Sequence, residues 1–313
     1  MMDTPTPQPS TLEPRPYVYR GRFAPSPSGV LHFGSLIAAT GSYLQARQQH
    51  GEWLLRIDDI DPPRVVAGAD EQILHSLETY GFEWDGEVSY QSQRLALYQD
   101  MLQQLQHQGL VYPCGCSRTS LAAHLDPARP DVYPGICRHG LAPGQTERSL
   151  RVRTANSVVQ FHDPLQGPQQ LVMETECGDF VVKRADGLFA YQLATAVDDA
   201  LQGISEVVRG ADLLESTYRQ IHLQQLLSLP SPVYAHLPVA CNRNGEKLSK
   251  KTLATDIEQL PVIETLYQVL VFLGQNPPPV LRHQASLQEL WQWAIQHWQL
   301  ELIPRCRQIA IED

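Results

Sequence analysis

Between residues 17 and 109 the chain alternates strand-like and helix-like segments separated by short turns, an order that few architectures accommodate. YVYRGRF (17–23) alternates aromatic or β-branched residues with polar ones and reads as a strand. APSPSG follows as a turn, with two prolines and a glycine. In HFGSLIAATGSYLQARQQ, Leu36, Ala39, Tyr43 and Ala46 recur at helical spacing. EWLLRIDDID resumes as a strand with acids at its C-terminal end. DEQILHSLETYGF and QRLALYQDMLQQLQHQG are amphipathic helices, the second stopped by Gly109. The expected fold class is α/β, a Rossmann-like doubly wound parallel sheet.

The texture changes from about residue 112. A cysteine cluster and a Pro/Gly-rich stretch precede the short β-like runs SLRVRT, SVVQFHD and DFVVKR. α/β texture returns with YQLATAVDDAL (helix), EVVRGADLL (strand into turn) and STYRQIHLQQLLSL (helix). After NRNGEKLSKKT the chain reads as mostly helical, broken at NPPPV. The expected organisation is a disordered Pro/Thr-rich leader at 1–16 and a first catalytic half at 17–112. An insertion with a metal site and a small antiparallel sheet follows at 113–189. The second catalytic half is 190–240, and a lysine-bearing loop with a helical C-terminal region occupies 241–313. The leader has neither a basic nor an apolar segment, and no run of 18 apolar residues occurs, so a cytoplasmic chain without membrane contact is expected.

Charge narrows the function classes. Lys+Arg total 24 against Asp+Glu 34, a net of −10, which excludes a generally basic nucleic-acid-coating surface. Any RNA contact is expected to be a confined patch with modest salt dependence. The lysines are Lys183, Lys247, Lys250 and Lys251, so three of them fall within five positions. Lysines on a Gly/Asn-flanked loop suit transient clamping of a polyphosphate. The turn at 24–35, between strand and helix, is where open α/β sheets bind nucleotides: Gly29 and Gly34 permit close backbone approach, and His32 offers a hydrogen bond to phosphate. It is neither a Walker loop nor a G-x-G-x-x-G turn. Cys114, Cys116 and Cys137 have metal-ligand spacing, with Tyr133, His139 and His124 as local candidates for a fourth ligand. Cys177, Cys241 and Cys306 read as scattered buried residues.

PSPSGVLHFGS resembles the HIGH signature, and KLSKK the KMSKS signature, of class I aminoacyl-tRNA synthetases. The string RFAPSPSGVLHFGS followed by RIDDIDPPR is similar to the glutamyl branch, with His32 at the first histidine position and Ser35 at the second. Only 62 residues follow Lys251, too few for the large anticodon-binding region of a glutamyl-tRNA synthetase. With the C-x-C…Y-x-x-x-C pattern, the chain resembles the short glutamyl paralogues that act on queuosine in tRNA(Asp).

The resemblance implies a ligase that activates L-glutamate with Mg2+-ATP to glutamyl-adenylate, then transfers glutamate to queuosine at the wobble position of the tRNA(Asp) anticodon stem-loop. It implies His32 and Lys250 as catalytic residues, and His32, Gly34, Ser35, Lys247, Ser249 and Lys250 around ATP. Glutamate is expected against Arg22, Phe23, Ala24, Pro25, Ser26, Asp58, Tyr191 and Arg209; two carboxylates and an ammonium call for guanidinium and acid groups. Asp58 stands where the branch usually carries Glu, one methylene longer. A structural Zn2+ on Cys114, Cys116, Tyr133 and Cys137, and a monomeric enzyme, are implied as well. The competing expectations are a truncated synthetase charging a tRNA 3′ end, a non-catalytic RNA-binding paralogue and a small-molecule nucleotidyltransferase. The chain's brevity, the intact signatures and the paired arginines argue against them in turn.

Overall fold

The computed structural model describes residues 18–242 and 256–311. The N-terminal part runs β1 (Arg20–Phe23), α1 (Phe33–Gln48), β2 (Glu52–Ile57), α2 (Ala69–Thr79), β3 (Ser89–Tyr90) and α3 (Leu95–His107). Next come β4 (Val111–Cys114), α4 (Arg118–Ala122), β5 (Ser149–Val152), β6 (Val158–Asp163), β7 (Gly167–Val172) and β8 (Phe180–Lys183). Then follow α5 (Tyr191–Leu201), β9 (Glu206–Gly210), α6 (Leu214–Leu226), β10 (Val233–Leu237) and β11 (Val239–Cys241). The chain closes with α7 (Val262–Phe272), α8 (Val280–His283), α9 (Leu287–His297) and β12 (Gln308–Ala310). No helix among the described residues is long and apolar enough to cross a membrane.

The strands pair in parallel as β1–β2, β2–β3 and β9–β10, with β11–β12 a separate parallel pair. The Ser205 N–H donates to Arg20 O at 2.9 Å, and the Arg20 N–H to Ser205 Oγ at 2.8 Å, joining the two groups of strands between β1 and β9. Strand order therefore grows one way as β1, β2, β3 and the other way as β9, β10. That reversal opens a crevice beyond the C-terminal ends of β1 and β9. The α/β expectation is met here, with parallel groups of three and two strands. The acid-rich end of EWLLRIDDID lies outside the strand, which stops at Ile57.

Helix α1 is buried nearly all round, and its small residues let it lie close to the strands. A Cβ at Gly41 would sit 2.6 Å from Leu237 Cδ1, so any larger residue here would force that buried side chain to move. Trp53 from β2, Tyr43 from α1, Phe82 and Trp291 from α9 form one aromatic cluster with ring centroids 5.0–5.6 Å apart. Burying each such ring contributes about 1.5–3 kcal/mol. Two indole N–H groups are satisfied across this interface: Trp291 donates to Tyr80 O at 2.9 Å and Trp298 to Gln45 Oε1 at 2.8 Å. The C-terminal helices thus cover the α1 side of the sheet.

Between residues 111 and 183, β4, β5 and β8 pair antiparallel, and β6 and β7 form a hairpin. The hairpin reaches under the parallel sheet. Asp163, the last residue of β6, accepts from the His236 backbone N–H of β10 at 3.1 Å, and Gln166 donates to His236 O at 2.9 Å.

Candidate active site

A cavity of about 490 Å3 occupies the crevice. Its walls include Arg22, Phe23, Ala24, Pro25 and Ser26 after β1, His32, Gly34 and Ser35 at the start of α1, Tyr191 at the start of α5, and Arg209 on β9. The structure therefore brings together ten of the residues expected to meet glutamate or ATP. Asp58 lies in a smaller adjoining pocket that shares Ser26, Ser28, Arg64 and Tyr191 with the main one. Lys247, Ser249 and Lys250 lie outside the described residues. Both flanks of that segment are held at the cavity. Val239 and Ala240 of β11 line it, while Asp256 bridges His32 and the Ile257 N–H donates to Leu31 O at 3.3 Å.

His32 caps α1: its Nδ1 accepts from the Ser35 N–H at 3.3 Å, which places the proton of a neutral ring on Nε2. Gly29, with φ 129°, supplies the left-handed turn that brings the chain back into the helix.

Beneath the cavity floor lies a buried ionic cluster. Arg22 grips Asp199 with Nε to Oδ1 at 3.2 Å and Nη2 to Oδ2 at 3.3 Å. Arg56, wholly buried, donates to Asp58 Oδ1 at 2.7 Å and to Asp199 Oδ1 at 2.8 Å. Asp198 accepts from Gln91, Arg94 and the Tyr98 hydroxyl. Burial alone would raise Asp199, but Arg22 and Arg56 hold its carboxyl below the usual range. Asp58 goes the other way. Burial outweighs the attraction of Arg56, Asp198 and Asp199 add repulsion, and its pKa rises from 3.8 to about 6.

Across the cavity, Arg209 is oriented from behind. Its Nη2 donates to Thr217 Oγ1 at 2.7 Å and Gln220 Oε1 at 2.8 Å, and its Nε faces His236 Nε2 at 3.4 Å. His236 Nδ1 lies 2.6 Å from Asp163 Oδ2, and its Nε2 lies 2.9 Å from Thr217 Oγ1. Burial depresses the imidazole pKa, so the ring is neutral, with its proton on Nδ1 toward Asp163 and a lone pair toward Arg209. Burial also pushes Asp163 up, but hydrogen bonds from His236 and the Gln166 and Leu165 N–H groups hold it low. Among the described residues Arg209 Nη1 is buried with no partner, a donor left over for a ligand.

Sequence reasoning missed Asp198, Asp199, Asp163 and His236. Two adjacent acids in the apolar run TAVDDAL were a readable signal, because acids are almost never fully buried unless paired. Asp163 and His236, 73 positions apart, carried none.

The cysteine expectation can be tested for fit. Cys114, Cys116 and Cys137 place their Sγ atoms within 4.8 Å of one another, with Cys116 and Cys137 3.6 Å apart. Sulfurs on a tetrahedral zinc at about 2.3 Å lie roughly 3.8 Å apart, so this spacing suits the ion. The Tyr133 hydroxyl lies 3.5 Å from Cys114 Sγ and 3.7 Å from Cys116 Sγ, while His139 and His124 are exposed. Burial raises the Cys114 thiol, but hydrogen bonds from Tyr133, the Cys116 backbone and Arg151 bring it down to about 7, while burial and the neighbouring thiols push Cys116 up to about 11. Among the candidates for a fourth donor, Tyr133 is in place.

Residues 19–271 match the family described as tRNA synthetases class I (E and Q), catalytic domain. The protein named glutamyl-Q tRNA(Asp) synthetase of Aromatoleum aromaticum is 56% identical over 293 residues, covering 93% of this chain and 91% of its own. The protein of the same name from Serratia proteamaculans is 49% identical over 302 residues, covering 96% and 97%. Among solved structures, a glutamate-tRNA synthetase from Elizabethkingia anophelis superposes with TM-score 0.77 at 23% identity, over 95% of this chain and 68% of that one.

Proposed function

The chain belongs to the class I tRNA synthetases of the E and Q branch and is a ligase, and on that premise we propose that it activates glutamate and transfers it to queuosine in tRNA(Asp). The observation that carries this reading is the crevice itself. Two buried arginines, Arg22 and Arg209, face one cavity beside a helix N-terminus, and relatives 47–56% identical over nearly the whole chain are named glutamyl-Q tRNA(Asp) synthetase.

Glutamate enters with its carboxylates toward Arg22 and Arg209 and its ammonium toward Asp58, and the Tyr191 hydroxyl lines the same space. ATP lies along the α1 N-terminus, whose free N–H groups and dipole favour phosphate. A glutamate α-carboxylate oxygen attacks the α-phosphorus, the bond to the bridging oxygen breaks, and Mg2+-pyrophosphate leaves. His32 Nε2–H and Lys250 stabilise the charge that develops on the phosphates. A hydroxyl of the queuosine cyclopentenediol then attacks the activated carbonyl and AMP departs, its phosphate taking the electron pair of the broken acyl bond. No side-chain nucleophile is required. Cys114, Cys116, Cys137 and Tyr133 would hold a structural zinc ion that pins the segment after β4.

The test separates the two tRNA ends. The enzyme is incubated with labelled glutamate, ATP and tRNA(Asp) in three forms: with queuosine, with unmodified guanosine in its place, and with queuosine but without the 3′-terminal adenosine. Label on both queuosine forms, recovered in the anticodon fragment after nuclease digestion, is expected. Label that requires the 3′ adenosine and ignores queuosine would replace this reading with 3′ charging.

A further inference from the structure

A second cavity, of about 280 Å3, lies between the thiol cluster, the antiparallel sheet and the parallel-sheet helices. Its size is close to the lower end of ligand pockets, about 300 Å3. Tyr133 comes from the cysteine segment, Arg151 from β5, Phe180 from β8, Gln192 from α5 and Arg219 from α6.

Three features set it apart from an ordinary surface hollow. In a chain with an excess of acids, most buried or half-buried arginines are paired with carboxylates. Arg151 and Arg219 enter no ion pair among the described residues. Arg151 is held over the Tyr133 ring at 3.8 Å, with Nε toward Cys114 Sγ at 3.4 Å and Nη1 on Asp179 O at 2.7 Å, while Arg219 faces the Cys177 thiol. The Asp179 carboxylate does not neutralise them, because it is engaged by Arg138, Tyr112 and Thr154. The uncompensated acid of the lining, Asp131, is exposed at the rim. Finally, Gln192 donates from Nε2 to Ser216 Oγ at 3.1 Å but leaves Oε1 buried without a partner among the described residues. An acceptor in that condition costs about 1–3 kcal/mol unless something supplies an N–H.

Two guanidinium groups and a lone acceptor, walled by aromatic rings, match a nucleotide: an anionic phosphate and a base edge with an N–H donor. Position says which nucleotide. Gln192 follows Tyr191, which lines the active-site cavity, so adjacent residues of α5 face the two cavities. RNA delivered to the first cavity must splay its target base from its neighbours. We infer that the second cavity takes a nucleotide of the RNA substrate next to the one being modified, with its phosphate on Arg151 and Arg219 and its base on Gln192. This rests on the function proposed above.

Binding of queuosine-bearing tRNA(Asp) to the full chain would be measured by fluorescence anisotropy at about 50–200 mM salt. Arg219→Gln is expected to raise Kd about tenfold and to reduce the log–log salt slope by roughly 0.7–0.9, the loss of one phosphate contact. Arg219→Lys should restore the slope. Gln192→Leu should raise Kd several-fold with the slope intact, since no charge is removed. Thermal melts confirm that each variant is folded. Wild-type affinity and slope in both Arg219→Gln and Gln192→Leu would overturn the inference while leaving the proposed function standing. So would AMP alone competing for the cavity without displacing the RNA. Failure of the wild-type enzyme to bind this tRNA would sink the proposed function itself.

Discussion

On the proposed function, Asp58 is predicted to make glutamate binding dependent on acidity in a range where free carboxyls do not titrate. Burial lifts its pKa from 3.8 to about 6, against the pull of Arg56 at 2.7 Å. Only the ionised form can hold the glutamate ammonium, which stays protonated across the range. Lowering the pH from about 7.5 to about 5 therefore crosses the Asp58 pKa by about one unit, and the apparent glutamate Kd should rise about tenfold. Near pH 6 binding should release about half a proton, because the incoming ammonium draws the carboxyl back to its ionised form. Calorimetry in two buffers of different ionisation enthalpy reads both quantities. Asp58→Asn should cost about 1.5–3 kcal/mol at neutral pH, roughly tenfold to a hundredfold in Kd, and should flatten the pH dependence. A wild-type Kd that stays flat down to pH 5, or a variant that keeps the tenfold change, would show that the ammonium does not meet Asp58. The same shift has a stability side. Because the folded value is raised, protonated Asp58 favours the fold below about pH 4. That contribution is lost as pH rises through about 6, so charged Asp58 costs about 3 kcal/mol at neutrality.

Two further outcomes follow. His236→Phe removes the acceptor facing Arg209 and Thr217, and should raise glutamate Kd about tenfold, with ATP affinity unchanged and His236→Gln recovering most of the loss; equal losses for both ligands would point to general unfolding instead. Cys114→Ser should abolish zinc binding measured by atomic absorption and lower Tm by roughly 5–10 °C, for a loss of about 3 kcal/mol, and an unchanged metal stoichiometry would refute the site.

The parallel sheet was legible because its first half is written locally: a strand pattern, a Pro/Gly turn, then a helical period, with β1, α1 and β2 found where those signals lie. The strands β10 and β11 were not read, since Pro230, Pro232 and Pro238 punctuate VYAHL and VAC like loop residues. β7, GPQQLV, has a single β-branched residue, Val172, and is held by pairing with β6. In the site, Arg22, His32, Tyr191 and Arg209 were approachable through motifs. What orients Arg209 is non-local, because a histidine and an aspartate on separate strands acquire meaning only when the hairpin slides beneath β10.

Strand β12 braces the site from a distance in sequence. Its Gln308–Ala310 pair in parallel with Val239–Cys241, and Val239 and Ala240 are part of the cavity wall. One side of the crevice is thus braced by residues near the end of the chain that we describe, though the strands it braces were made some 70 residues earlier. The register sets Val239 against Gln308, Ala240 against Ile309 and Cys241 against Ala310, so the position of that wall depends on a three-residue strand remote in sequence from the parallel sheet.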